Sequence, residues 1–234
     1  MATRAVLFDL GNTLVGYYTS AQFPGVLRQC LRECTEALGL PEDSARHRDT
    51  YDRALLLNRE QPDYAVRPLT ERLEQLFGVV DSPDALVAAF LKPIFSMARL
   101  EPHAISVLET LRATGIKTAI VSNTPWGSPA EAWREELRRH RLLDKVDATV
   151  FCMDVGRRKP HRAPFERALS LVGVGPAEAL FVGDDPRWDV VGAQGAGLQP
   201  VLLDPSSRDG VADHLTIRDL RDVIALVHTM GGAV

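Results

Sequence analysis

Five short apolar runs, each closing on polar residues and spaced by helix-length segments, constrain this chain more than any other feature. They lie near 4–9, 117–121, 148–152, 179–183 and 199–203. Strand-length runs alternating with helical patterns predict an α/β fold with a parallel sheet and helices on both faces. Residues 102–114 read as one such helix. Pro102 sits early, apolar positions recur at Ile105, Leu108 and Leu111, and Gly115 follows as a stop. Ser128-Pro129-Ala130-Glu131 reads as a helix start with a capping box and Pro in the first turn. Residues 161–172 and 187–196 also read as helices, and Leu215 to Val227 as a closing one. The tail from Met230 to Val234 is expected to fray.

Residues 16–98 break the alternation. They predict no strand, only helices near 20–38, 42–60, 69–77 and 83–97. Gly39-Leu40-Pro41, Gln61-Pro62-Asp63 and the stretch from Gly78 to Pro83 separate them. The chain therefore divides into a core domain, residues 1–15 and 99–234, and an inserted helical domain, residues 16–98. A length of 234 residues suits that arrangement. The insert is either a lid or a helical unit packed elsewhere for stability. Its position just after Asp9 favours the lid.

Asp9 is the reason that position matters. Ala5-Val6-Leu7-Phe8 delivers a lone carboxylate to the end of a strand, and Gly11-Asn12 then turns the chain. Open α/β sheets bind ligands at that edge. An aspartate there is a nucleophile, a metal ligand or simply a turn residue. Three later segments repeat the pattern. Lys117 to Val121 leads into Ser122-Asn123-Thr124, and Ala179 to Val182 leads into Gly183-Asp184-Asp185, with Asp189 close behind. Between them stands Arg157-Arg158-Lys159-Pro160. Each has a plainer reading: turn chemistry for Ser122, a solvated basic run for Lys159, a turn and helix cap for the aspartates.

Asp, Ser, Lys and Asp-Asp, in that order, resemble the four motifs of the haloacid dehalogenase-like hydrolases, from Val6 to about Leu203. The resemblance implies a doubly wound parallel-sheet (Rossmann-like) core with an inserted all-helical cap. It makes Asp9 the nucleophile, forming an aspartyl-phosphate that water then hydrolyses. Ser122, with the backbone N–H of Asn123, would hold a phosphate oxygen, and Thr13 joins that binding set. Lys159 would neutralise the phosphate. Mg2+ would be held by Asp9, the Gly11 carbonyl and Asp184, with Asp189 acting behind them or through water and Asp185 as a further partner.

One position departs from the pattern. Most phosphatases of this family carry a second Asp two residues after the nucleophile, as acid and then base. Here it is Gly11. A positioned acid or base contributes about 10²- to 10⁴-fold. The 2-haloacid dehalogenases also lack that Asp, but they need no Mg2+ and lack the metal-type aspartates that this chain keeps. The expected function is a Mg2+-dependent phosphatase acting on a small phosphorylated metabolite. The alternatives are a metal-independent 2-haloacid dehalogenase and a weakened family member that only binds a phosphorylated ligand or a protein. Tyr17, Tyr18 and Arg67 lie where substrate specificity would be set, although the tyrosines also suit packing at the base of the cap. Trp126 and Trp188 follow the second and fourth motifs, at the site entrance or over the core edge.

Composition supports the same picture. Hydrophobic residues make up 45% and charged residues 25%, with a net charge of −4, which suits a globular enzyme and argues against a nucleic-acid partner. No apolar run approaches membrane-span length. Met-Ala-Thr-Arg runs into a strand without a signal pattern, so the cytoplasm is the expected compartment. Cys30 and Cys34 share a helical face, as a metal-ligand pair or, the favoured reading, as reduced buried thiols. Cys152 is expected in a core strand.

Overall fold

The computed structural model describes residues 2–41, 43–78, 81–206 and 215–230. Strand β1 (Ala5–Phe8) is followed by the two-residue β2 (Val15–Gly16). Four helices come next: α1 (Phe23–Ala37), α2 (Ser44–Leu57), α3 (Leu69–Phe77) and α4 (Pro83–Ser96). The chain then alternates through β3 (Arg99–Leu100), α5 (Ala104–Ala113), β4 (Lys117–Ser122), α6 (Ala130–Arg139), β5 (Ala148–Phe151) and α7 (Cys152–Val155). It continues with α8 (Ala163–Val172), β6 (Ala179–Gly183), α9 (Gly192–Gly195), β7 (Gln199–Leu203), β8 (Leu215–Ile217) and α10 (Asp222–Met230).

Six strands form one parallel sheet in the order β5-β4-β1-β6-β7-β8. All four residues of β1 are fully buried. Val6 and Phe8 face one apolar cluster, Ala5 and Leu7 the other. A strand covered on both faces has no solvent side, which is why its sequence is a continuous apolar run and not an alternating one. On the second face Phe165 of α8 meets Phe181 of β6 edge-on at 4.9 Å, anchoring the helix to the sheet. From β1 the chain steps outward through β4 to β5, then crosses back to β6 on the other side. The order reverses between β1 and β6, and a crevice opens there at the strands' carboxyl ends.

All five anticipated strands are present. The expectation for 215–227 is corrected. Leu215–Ile217 is an edge strand, with Val201 opposite Leu215, and α10 begins only at Asp222. The Asp219 carboxylate accepts from the Arg221 N–H at 2.8 Å and turns the chain between strand and helix. The helix expected over 187–196 is a π-helical segment, Pro186–Val191, running into α9. The capping box at Ser128 does not form. Ser128 is fully buried, and its hydroxyl accepts from Trp133 Nε1 at 2.8 Å, while α6 starts one residue later than the box requires. Cys152 opens α7, after the strand it was expected to fill, and its sulfur accepts from the Thr124 N–H. Beyond Met230, the tail lies outside the described residues.

The stretch between β2 and β3 contains helices and no strand among the described residues. β2 and β3 pair antiparallel, a two-residue ribbon too short to leave a periodic signal. α1 packs along α4, with Val26, Leu27, Cys30 and Leu31 buried on the first and Leu86, Phe90, Leu91 and Ile94 on the second. Each fully buried side chain of this size contributes roughly 1.5–3 kcal/mol. Cys30 and Cys34 belong to this apolar face as free thiols, and burial pushes the Cys30 thiol up to about 12. Among the described residues no helix is long and apolar enough to cross a membrane.

Candidate active site

Asp9 leaves β1 at the mouth of the crevice, its N–H tied to the Val182 carbonyl of β6 at 2.9 Å. Asn12 then adopts a left-handed conformation (φ 57°), which its short polar side chain tolerates. Its Oδ1 accepts from the Tyr17 N–H, and its Nδ2 donates to the Tyr18 carbonyl. The turn is thereby closed, and both tyrosines reach the rim of the site.

Lys159 is the centre of the charge arrangement. Its ammonium is buried (1% exposed) and donates to Asp9 Oδ1 and to Asp189 Oδ1, each at 2.6 Å. Burial alone would lower its pKa. The carboxylates of Asp189 and Asp9 outweigh that, and the pKa stands above the ordinary lysine value. The Lys159 backbone is held separately. Asn123 Oδ1 accepts from its N–H at 2.8 Å, and Asn123 Nδ2 donates to its carbonyl at 3.2 Å. The Asn123 side chain is thus a clamp on the lysine.

Asp189 uses both oxygens. Oδ1 takes the lysine, and Oδ2 accepts from the Asp185 N–H at 3.1 Å. Gly183 permits this approach, because a Cβ there would lie 2.2 Å from Asp189 Oδ2. Asp185 accepts from the N–H groups of Arg187 and Trp188, so it caps the π-helical segment, the plainer of its two readings. Asp184 interacts instead with the Asn12 side chain. Burial, then Asp9 and Asp189, raise its pKa to about 7.

One carboxylate oxygen from each of Asp9, Asp184 and Asp189 lies within 4.8 Å of the other two. Three carboxyl groups share one ammonium, an acidic excess that no other side chain among the described residues neutralises and that adds to burial in raising the Asp184 pKa. An all-oxygen donor set with that excess fits a hard divalent cation such as Mg2+. The surrounding cavity, about 360 Å³, is lined by Asp9, Ser122, Asn123, Lys159, Asp184 and Asp189, with Tyr17, Tyr18 and Trp188 at its walls. That volume suits a small metabolite. A larger cavity between α4 and α6, about 790 Å³, holds none of these groups.

The residues of all four motifs therefore meet at one strand edge. Two residues singled out in the sequence stand apart from the cavity. Thr13 is fully buried in the turn and does not line it. Arg67 does not line it either. The Arg67 carbonyl packs against Gly127, where a Cβ would lie 2.1 Å away. Gly11 sits in the turn after Asp9, bridged to Val15. The basic run before Lys159 is no free solvated segment: the Val66 N–H donates to the Gly156 carbonyl and the Arg158 N–H to the Tyr64 carbonyl, forming a strap beside the site. Neither the strap nor the Asn123 clamp has a local sequence signature.

A profile of haloacid dehalogenase-like hydrolases matches residues 3–197. The chain is 29% identical over 221 residues to a ribulose-1,5-bisphosphate 5-phosphatase of Halopiger xanaduensis, covering 91% of this chain and 89% of the relative. Its fold superposes on a HAD phosphatase from Thermococcus onnurineus with a TM-score of 0.70 at 26% identity, over 98% of this chain and all of the other. A 2-haloacid dehalogenase from Pseudomonas syringae gives 0.67 at 25% identity, over 98% and 99%. The profile match spans four motifs that fold into a single site, and the chain belongs to the haloacid dehalogenase-like hydrolases.

Proposed function

We propose that the protein is a cytoplasmic, Mg2+-dependent phosphatase that hydrolyses a small phosphorylated metabolite through an aspartyl-phosphate on Asp9. The observation that carries this reading is the trio Asp9, Asp184 and Asp189 around a single buried ammonium. A metal-free dehalogenase has no use for that acidic excess. The phosphatases among its relatives point the same way.

In this mechanism the free oxygen of Asp9 attacks phosphorus while Lys159 steadies the other. Bond formation from carboxylate oxygen to phosphorus expels the alcohol oxygen with its electron pair, and water later cleaves the acyl phosphate. Lys159 neutralises charge on the phosphoryl oxygens, and the Ser122 hydroxyl and the Asn123 N–H donate to one of them. Asn123 also fixes the lysine through its clamp. Bound Mg2+, held by Asp9, the Gly11 carbonyl and Asp184, would supply Lewis-acid charge neutralisation. Asp189 orients Lys159 and backs the metal set. Residues 16–98 act as the cap, closing over the site and contributing Tyr17 and Tyr18 to its wall.

The rival reading is a metal-independent 2-haloacid dehalogenase, favoured by Gly11 and by the Pseudomonas neighbour. The deciding experiment assays phosphorylated metabolites and 2-chloropropionate side by side, with Mg2+ and with EDTA. Phosphatase turnover that EDTA abolishes is expected. Halide release that survives EDTA would overturn the assignment, and phosphate-analogue binding without turnover would mark a binding protein instead.

A further inference from the structure

Away from the aspartates, the described residues hold a second concentration of charge, and it is cationic. Arg72 of α3 is 7% exposed and has no carboxylate partner among the described residues. Its Nη1 donates to Asn58 Oδ1 at 3.1 Å, while its Nε has no acceptor. Two other donors on the same cavity share that condition: Trp126 Nε1, on a residue 5% exposed, and Arg158 Nε. All three residues line one cavity of about 20 Å³, where the helical stretch meets the loops after β4 and before Lys159. Three of the acceptors on its wall already have partners. Asn58 Oδ1 holds Arg72, Glu60 Oε1 holds Arg187 at 2.7 Å, and the Cys152 sulfur takes the Thr124 N–H.

Charge and size together define what such a place accepts. Burial, and then Arg67 and Arg158, push the Arg72 guanidinium down to about 10, so its surroundings disfavour its own charge. A buried cation among cations is costly unless an anion joins it. Arg72 lies over the Trp126 ring at 5.4 Å and Arg158 over Trp188 at 4.5 Å, so ring faces meet the guanidinium planes. The three N–H groups of this wall are left without acceptors, and a neutral water there accepts two hydrogen bonds and brings no charge. A void of about 20 Å³ has room for a water or a small ion and is tight for a phosphate group.

We propose that Arg72, Trp126 and Arg158 form a buried site for a monatomic anion of the chloride class, pinning the helical insert to the core behind the reacting groups. The site is independent of the phosphatase reading, and its test uses no activity. Thermal unfolding of the full chain in Mg2+ is measured in sodium chloride, sodium bromide and sodium gluconate at equal ionic strength. Gluconate is too large for the cavity. Chloride at about five times its dissociation constant should raise the midpoint by about 2–4 °C over gluconate. Arg72→Met keeps the stem and removes the charge. It should abolish the chloride increment and match or exceed the parent in gluconate, where the parent carries an unpaired cation. Trp126→Phe keeps the ring, removes one donor and should weaken the increment. Crystals grown in bromide should show an anomalous peak among the three side chains. Identical midpoints in chloride and gluconate, equal loss of stability by Arg72→Met in both salts, or a water in place of bromide would overturn the proposal.

Discussion

Gly11 is the position at which the chemistry of this site is most open to perturbation. If it marks a missing proton donor, the parent enzyme must expel its leaving group unprotonated. The rate should then fall steeply as leaving-group pKa rises. Gly11→Asp restores the donor, and the structure has room for it. Gly11 lies outside the left-handed region, and an added Cβ would meet only Asp9 Oδ2, at 3.9 Å. An Asp rotamer that brought its carboxyl about 4 Å from Asp9 would feel a repulsion of about 4 kcal/mol at an effective dielectric of 20, or about three pKa units. The Lys159 ammonium on Asp9 offsets part of this, so the new carboxyl sits above the ordinary Asp range by less than that, enough to supply a protonated fraction as the acid. The gain should be about 10²- to 10⁴-fold for simple alkyl phosphates and close to nothing for p-nitrophenyl phosphate. The assay is a plot of log kcat/KM against leaving-group pKa for parent, Gly11→Asp and Gly11→Asn, the last matching size without acidity. A flattened slope in Gly11→Asp alone is expected. A shallow slope in the parent would refute the reasoning, because another group would already be donating the proton. An unchanged slope in a folded, Mg2+-binding Gly11→Asp would refute it as well.

Further expectations follow from the charge arrangement. Asp9→Asn should reduce phosphatase turnover to background while leaving the circular dichroism spectrum unchanged. Lys159→Met should abolish turnover and cost about 3–5 kcal/mol in denaturant unfolding, since it strands two buried carboxylates. Asp184 is raised to about 7 in the fold, so the folded state holds more protons than the unfolded chain between about pH 4 and 7. Its contribution therefore destabilises the metal-free protein as pH rises through that window, with the full penalty above pH 7. The midpoint increment from Mg2+ should grow from pH 5 to pH 8, and a pH-independent increment would remove Asp184 from the metal set. Asp184→Asn should raise the Mg2+ needed for half-maximal rate by about tenfold or more, and should stabilise the protein in EDTA at pH 8.

Much of this molecule was legible along the chain because the deciding physics was local. A strand buried on both faces must be apolar throughout, so β1, β4 and β6 announced themselves and carried Asp9, Ser122 and Asp184 to their ends. Amphipathic spacing and glycine or proline breaks marked α1 to α4 for the same reason. The remainder depended on partners distant in sequence. Asn123, expected to offer its backbone N–H to a phosphate, also clamps Lys159 through its side chain, while Asp189 found its lysine across 30 residues. Ser128 looked like a helix cap and turned inward to Trp133, and Leu215–Ile217 became a strand only because β7 offered an open edge. Arg72 carries no local sign of burial, and its cavity with Trp126 and Arg158 exists only where three separate segments close on one another. Hydrophobic periodicity records which face of an element leaves water. It holds no record of which polar group waits on the other side, and in this protein those pairings build the site.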